Sequence, residues 1–157
     1  MIFLISTMRR SEKEIKERDE IEDIIRRAEI CRIAFSVDDQ PYIVPVNFGY
    51  NNNCLFIHSA REGKKIDMIK RNSRVSFEME IDTSVIIEDT ACDCRTKYRS
   101  VIGTGRAYLI DDPQGKREGL DILMAHYSDK PYKYPDNRIA GMLIIKIEID
   151  SLTGKKA

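Results

Sequence analysis

Apolar residues recur along this chain first with a helical period and then with a period of two. Ile21, Ile24, Ile25 and Ala28 fall at i, i+3, i+4 and i+7, the stripe of an amphipathic helix. Asp19 and Glu22 supply the acidic start such a helix favours. From Cys31 the period changes. Ile33, Phe35 and Val37 alternate with polar or small residues, and Asp38-Asp39-Gln40 predicts a hairpin-type turn. Residues 41–50 predict a long second strand, with Tyr42, Val44, Val46, Phe48 and Tyr50 on one face and Ile43, Pro45, Asn47 and Gly49 on the other. Pro45 has no N–H for a ladder, so this strand lies at an edge or is locally unpaired. The cluster Asn51-Asn52-Asn53 turns the chain into a third strand over residues 54–58.

The chain then turns at Gly63, and Ile66 and Ile69 are spaced for one buried helical face ending near Asn72-Ser73. Val75, Phe77 and Met79 alternate against Ser76, Glu78 and Glu80 as a fourth strand. Residues 82–96 lack clean periodicity and predict a long excursion. Residues 97–110 predict a fifth strand whose Gly103 and Gly105 share one face, allowing close approach of another backbone or a flat ligand. Asp111-Asp112-Pro113 opens a third helix, in which Leu120, Leu123, Met124 and Tyr127 recur with helical spacing. After a polar loop over residues 128–138, residues 141–149 are almost continuously apolar and predict a central last strand. Residues 11–18 are almost wholly charged, so residues 1–18 are expected to be a solvated N-terminal extension. Six antiparallel-style strands and about three helices make this a mainly β protein with α additions: a small barrel in one domain over residues 1–157.

Composition narrows the function. Twenty-six Lys and Arg balance 26 Asp and Glu, which argues against a general nucleic-acid binder. The apolar opening Met1-Ile2-Phe3-Leu4-Ile5 is too short for a signal-peptide core and no run is long enough to span a membrane, so a cytoplasmic protein is expected. Two of the four cysteines, Cys31 and Cys54, sit within strands, and Cys92-Asp93-Cys94 forms a C-x-C pair in the excursion. With only His58 and His126 as further ligands, no standard zinc spacing exists and no metal site is expected.

Candidate chemistry concentrates in His58-Ser-Ala-Arg-Glu-Gly-Lys-Lys65. Here a strand ends and a helix begins with two lysines in its first turn, where the helix dipole disfavours cations. Exposed N–H groups, the Ser59 hydroxyl and the ammonium groups of Lys64 and Lys65 suit a phosphate. The competing reading is a solvated lysine-rich loop. His58 is likewise either a hydrogen-bonded structural residue or a neighbour of the phosphate. There is no phosphate loop of the G-x-x-x-x-G-K-[ST] kind, and Gly103-Thr-Gly105 lies within a strand, so a dinucleotide fingerprint is not supported. No serine–histidine–acid grouping points to a hydrolase.

Five segments resemble, in order, the pyridoxamine 5′-phosphate oxidase-like flavoproteins. They are Pro41-Tyr-Ile-Val-Pro-Val-Asn-Phe-Gly-Tyr50, Leu55-Phe-Ile-His-Ser-Ala60, Gly63-Lys-Lys-Ile-Asp67, Asn72-Ser-Arg-Val-Ser-Phe77 and Tyr98-Arg-Ser-Val-Ile-Gly103. Met8-Arg9-Arg10 and Thr153-Gly154-Lys155 add a similarity to the 5-nitroimidazole-resistance (Nim-type) branch. The resemblance implies a six-stranded antiparallel split β-barrel of Greek-key type (the FMN-binding split barrel), forming a homodimer with FMN, or alternatively FAD, at the subunit interface. It implies that Ser59, Lys64 and Lys65 hold the phosphate and that Pro45, Val46 and Asn47 lie along the flavin ring. His58 and Ala60 would line the same pocket, and Arg99 and Ser100 would close it from the partner subunit. The second strand lacks the basic residues the oxidase carries there, which weakens pyridoxamine phosphate as substrate. The implied activity is flavin-dependent reduction of a small acceptor such as a nitroimidazole-type nitroaromatic, with His58 as the candidate proton donor. The alternatives are a non-catalytic flavin- or haem-binding carrier or sensor, and a structural dimerisation module.

Overall fold

A computed structural model describes residues 8–157; the apolar opening run lies outside the described residues. Eight strands and four α-helices follow in the order β1 (Glu14–Ile15), α1 (Arg18–Arg27), β2 (Cys31–Val37), β3 (Gln40–Val46), β4 (Gly49–Asn51), β5 (Cys54–Ala60) and α2 (Lys64–Arg71). The second half comprises β6 (Arg74–Ile86), β7 (Arg95–Ile110), α3 (Pro113–Ala125), α4 (Asp136–Ala140) and β8 (Met142–Lys156).

The strands form one antiparallel sheet in the order β3-β2-β6-β7-β8-β5-β4, with β1 paired to β8. β3 and β4 lie at opposite edges of this path, yet only Asn47 and Phe48 separate them in the chain. Val46 to Gly49 can span at most about 11 Å of extended backbone. The sheet therefore curls until its edges meet, and the closure is a split barrel. Eight strands replace the six expected because the long second strand breaks at Asn47-Phe48 and because β1 adds a short strand near the N-terminus. The break has a cause. The Phe48 side chain is fully buried and its ring lies 4.5 Å from that of His126. Its N–H donates to the Tyr127 hydroxyl at 3.0 Å, so the end of α3 satisfies the backbone where no strand does. Pro45 sits on the edge strand β3, as its missing N–H requires.

Two other expectations are corrected. The lead-in is not wholly solvated: Ile15 is 3% exposed, and β1 pairs with Lys155 and Gly154 of β8. The excursion is also shorter than its sequence suggests. A register shift between Ile81 and Ser84, with Asp82 at φ 55°, breaks the alternation while β6 continues to Ile86. Only residues 87–94 connect it to β7. They carry the exposed Cys92 and the half-buried Cys94; the Cys94 Sγ accepts the Glu88 N–H at 3.3 Å.

The inner face of the sheet and the apolar stripe of α1 make the core, with Ile24, Ile25, Ile33, Phe77, Met79, Ile145 and Ile147 at 1% exposure or less. Gly103 pairs with Phe77 on this inner face, and a Cβ there would strike the Phe77 ring. The flat group that needs the glycine is thus an internal aromatic. The last strand is central, as its apolar run predicts, but it extends to Lys156 past a register shift opposite Thr104 and Gly105.

Candidate functional site: an uncapped helix start at the barrel edge

The strongest candidate for ligand binding is the beginning of α2. Gly63 adopts φ 126°, a conformation L side chains rarely take, and so lets the chain leave β5 and enter the helix within three residues. No side chain caps the helix. Lys64 places its Nζ 4.4 Å above the ring centroid of Tyr42 on β3. Lys65 is half-buried, and that burial pushes its ammonium below the ordinary lysine value. Among the described residues neither lysine makes a hydrogen bond or ion pair to an acid. Uncapped N–H groups, an exposed ammonium and a half-buried one thus converge; Asp67 shares the first turn but pairs with neither lysine, and a phosphate group fits this donor set.

The strand before the helix divides its residues between two faces. Leu55, Ile57 and Ser59 point inward, and Ser59 is only 6% exposed. His58 and Ala60 point outward and are exposed. Period two makes this unavoidable, so Ser59 and His58 do not share a wall of one pocket. The His58 imidazole forms no hydrogen bond to another described residue, whereas that of His126 is structural: its Nε2 lies 2.7 Å from the Ala28 carbonyl oxygen. On β3, Pro45 is exposed, as is Asn47 just beyond it, while Val46 packs against the core.

Arg99 and Ser100 lie elsewhere. They pair in register with Lys156 and Lys155 of β8, whereas Ser59 pairs with Leu143, thirteen positions away along that strand. At roughly 3.3 Å per residue the contour separation is about 40 Å. One copy of the chain does not bring these groups together. Arg99 is moreover engaged by Glu20 and Asp23, each at 3.3 Å, and by Asp82 at 3.6 Å, which ties α1 to β6 and β7.

The folded chain adds groups that the sequence did not single out. Tyr42 was one member of an alternating strand, with no sign that it would lie under Lys64. Arg61 grips Asp111 with both η nitrogens at 2.6 Å and also donates to the Ala140 carbonyl at 3.1 Å. Lys116, 3% exposed, reaches the same Asp111 at 2.7 Å and the Ile139 carbonyl at 3.1 Å. First Arg61 and then Lys116 hold the Asp111 carboxyl at about 2, below its usual 3.8. Asp111 resembled a helix-start residue in sequence, but Asp112 takes the capping role, accepting the Gly115 N–H at 2.7 Å. A cavity of about 440 Å³ also opens between the end of α1, the start of β2 and the bulged part of β6, lined by Arg27, Ile30, Arg32, Glu80 and Asp82 among others.

These features define a small split-barrel protein with an uncapped, lysine-bearing helix start at its edge. Comparison with known proteins makes that class specific. A family model described as pyridoxamine 5′-phosphate oxidase matches residues 17–156, and the chain belongs to this family. A crystal structure of a candidate 5-nitroimidazole antibiotic resistance protein from Bacteroides thetaiotaomicron is 33% identical, with 91% of this chain and 86% of that one covered at a TM-score of 0.82. The FAD- and haem-binding protein of Mycobacterium smegmatis shares the fold at 18% identity, covering 92% and 73% of the two chains with a TM-score of 0.83. An uncharacterised protein of Rhizobium meliloti is 26% identical over 91% of this chain and 94% of its own length. Among the described residues, no helix is long and apolar enough to cross a membrane.

Proposed function

We propose that this chain is a flavin-dependent oxidoreductase that reduces a small acceptor, with FMN as cofactor and FAD as the alternative. The observation that carries the proposal is the start of α2: an uncapped first turn with two lysines, one of them half-buried, neither of them ion-paired to an acid of the described residues. A flavin phosphate supplies the missing charge. Lys64 and Lys65 are its main ligands, since Ser59 faces the interior.

A bound flavin would supply the two-electron chemistry, leaving binding and orientation to the protein. Pro45 and Asn47 are exposed along the β3 edge, where the Asn47 amide is free of other described residues to hydrogen-bond the polar rim of the ring. His58 and Ala60 face outward from β5. An imidazole without a structural partner is suited to orient an acceptor or donate a proton to it. Arg99 and Ser100 complete the pocket from a second copy, which is consistent with their distance from Ser59 within one chain. The similarity to the Bacteroides protein makes a nitroimidazole-type compound the first acceptor to try.

Purified protein is expected to be yellow and to release flavin on denaturation. The double substitution Lys64→Glu and Lys65→Glu should abolish flavin binding while leaving the fold intact, and unchanged affinity would refute the phosphate assignment. Reoxidation of the reduced protein by an added nitroaromatic at a catalytic rate separates an enzyme from a carrier or sensor, which would show no turnover.

A further inference from the structure

The three-residue connection Arg61-Glu62-Gly63 carries the chain from β5 into the lysine-bearing turn of α2. Gly63 faces open space and Glu62 makes no side-chain bond to another described residue, so the connection is fastened through Arg61. Arg61 ends on a hub. The Asp111 carboxylate, at the junction of β7 and α3, receives both arms of the Arg61 fork and the Nζ of Lys116. Lys116 is buried and reaches on to Ile139, while Arg61 reaches Ala140, both in α4. A bidentate guanidinium–carboxylate pair fixes angle as well as distance, and a second cation on the same carboxylate removes its freedom to swing.

We propose that Asp111 is a positioning residue for the anion site: with Arg61 and Lys116 it bolts the entry of α2 to β7, α3 and α4, and so sets the direction of the first-turn N–H groups. It touches no ligand itself. The proposal rests on the reading that α2 receives the flavin phosphate, because only then does the bolted turn have a ligand to orient. A preorganised anion site loses affinity when its supporting contacts loosen even though every ligating group remains.

The test measures the dissociation constants of FMN and of riboflavin, which lacks the phosphate, for the wild-type chain, Asp111→Asn and Lys64→Glu/Lys65→Glu. Amide hydrogen exchange over residues 61–67 accompanies each. Asp111→Asn is expected to weaken FMN roughly tenfold, to change riboflavin by less than about twofold, and to speed exchange in that segment. Equal losses for FMN and riboflavin would make the clamp merely structural and overturn the proposal, as would faster exchange with unchanged FMN affinity. If the double lysine variant keeps its FMN affinity, the phosphate reading fails, and faster exchange in Asp111→Asn still establishes the bolt. Should Asp111→Asn fail to fold, Arg61→Lys keeps the charge but loses the fork. It is expected to repeat the selective FMN loss at smaller amplitude, and wild-type selectivity in that variant would count against the clamp.

Discussion

Tyr127 illustrates how much a single hydroxyl can decide in this barrel. Its Oη accepts the Phe48 N–H at 3.0 Å and donates to the Glu29 carbonyl at 2.8 Å, joining the break between β3 and β4 to the α1–β2 connection. Phe48 is fully buried, so its N–H has little access to water. Tyr127→Phe should therefore cost about 1–3 kcal/mol, the usual penalty for an orphaned buried donor. Urea unfolding would show it as a lower midpoint with an unchanged slope, and an unchanged midpoint would mean that water replaces the hydroxyl. Nothing in the sequence marks this role. Tyr127 matched the apolar spacing of α3, and only the fold directs its ring edge to a backbone 79 residues away.

At the scale of elements, helix α1 was legible because its stripe of isoleucines obeys one local period, and all of them are buried. Helix α2 stood out for the opposite reason: its lysines violate the usual helix-start preference, and the violation is what suggests an anion site there. What fastens α2 was not legible. Its pH behaviour follows from Asp111. The folded-state value of that carboxyl is about 2, below its usual 3.8, so the clamp is fully formed above pH 4 and is lost as pH falls through about 2. Local opening of residues 61–63, followed by hydrogen exchange corrected for intrinsic rates, is expected to be flat from pH 5 upward. It should increase between about pH 4 and pH 2, because protonated Asp111 can no longer hold both Arg61 and Lys116. A pH-independent opening across that interval would show that the carboxylate charge is not what holds the connection.

At the scale of the molecule, the outer face of the sheet presents an uncharged strip. Ile43, Ala34, Ser76, Thr104 and Ser151 follow one another across five strands in register, and Ile102, 55% exposed, stands beside Thr104. Such a strip, together with a site whose expected residues lie at opposite ends of β8, favours a two-copy assembly as the working unit. Light scattering is expected to give twice the 18.2 kDa chain mass. Ile102→Asp should halve that mass and release flavin, whereas flavin retained by a monomeric variant would place the whole site within one chain.

The pattern along the chain was sufficient for the β-rich class, the principal strands, three of the four α-helices of the described residues and the position of the lysine-bearing turn. Each of these depends on local period, chain punctuation or a charge placed against a helix dipole, and all three are written in consecutive residues. The folded chain was needed for the break at Asn47-Phe48, the bulge at Asp82, the Gly103–Phe77 contact and the Asp111 hub. These arise from meetings between residues far apart in sequence, where sterics and hydrogen-bond satisfaction are settled jointly. The same division applies to His58-Ser-Ala-Arg-Glu-Gly-Lys-Lys65. Its lysines stood out in the sequence; the opposite directions of His58 and Ser59, the Tyr42 ring beneath Lys64 and the clamp on Arg61 were decided only by the closed sheet around them.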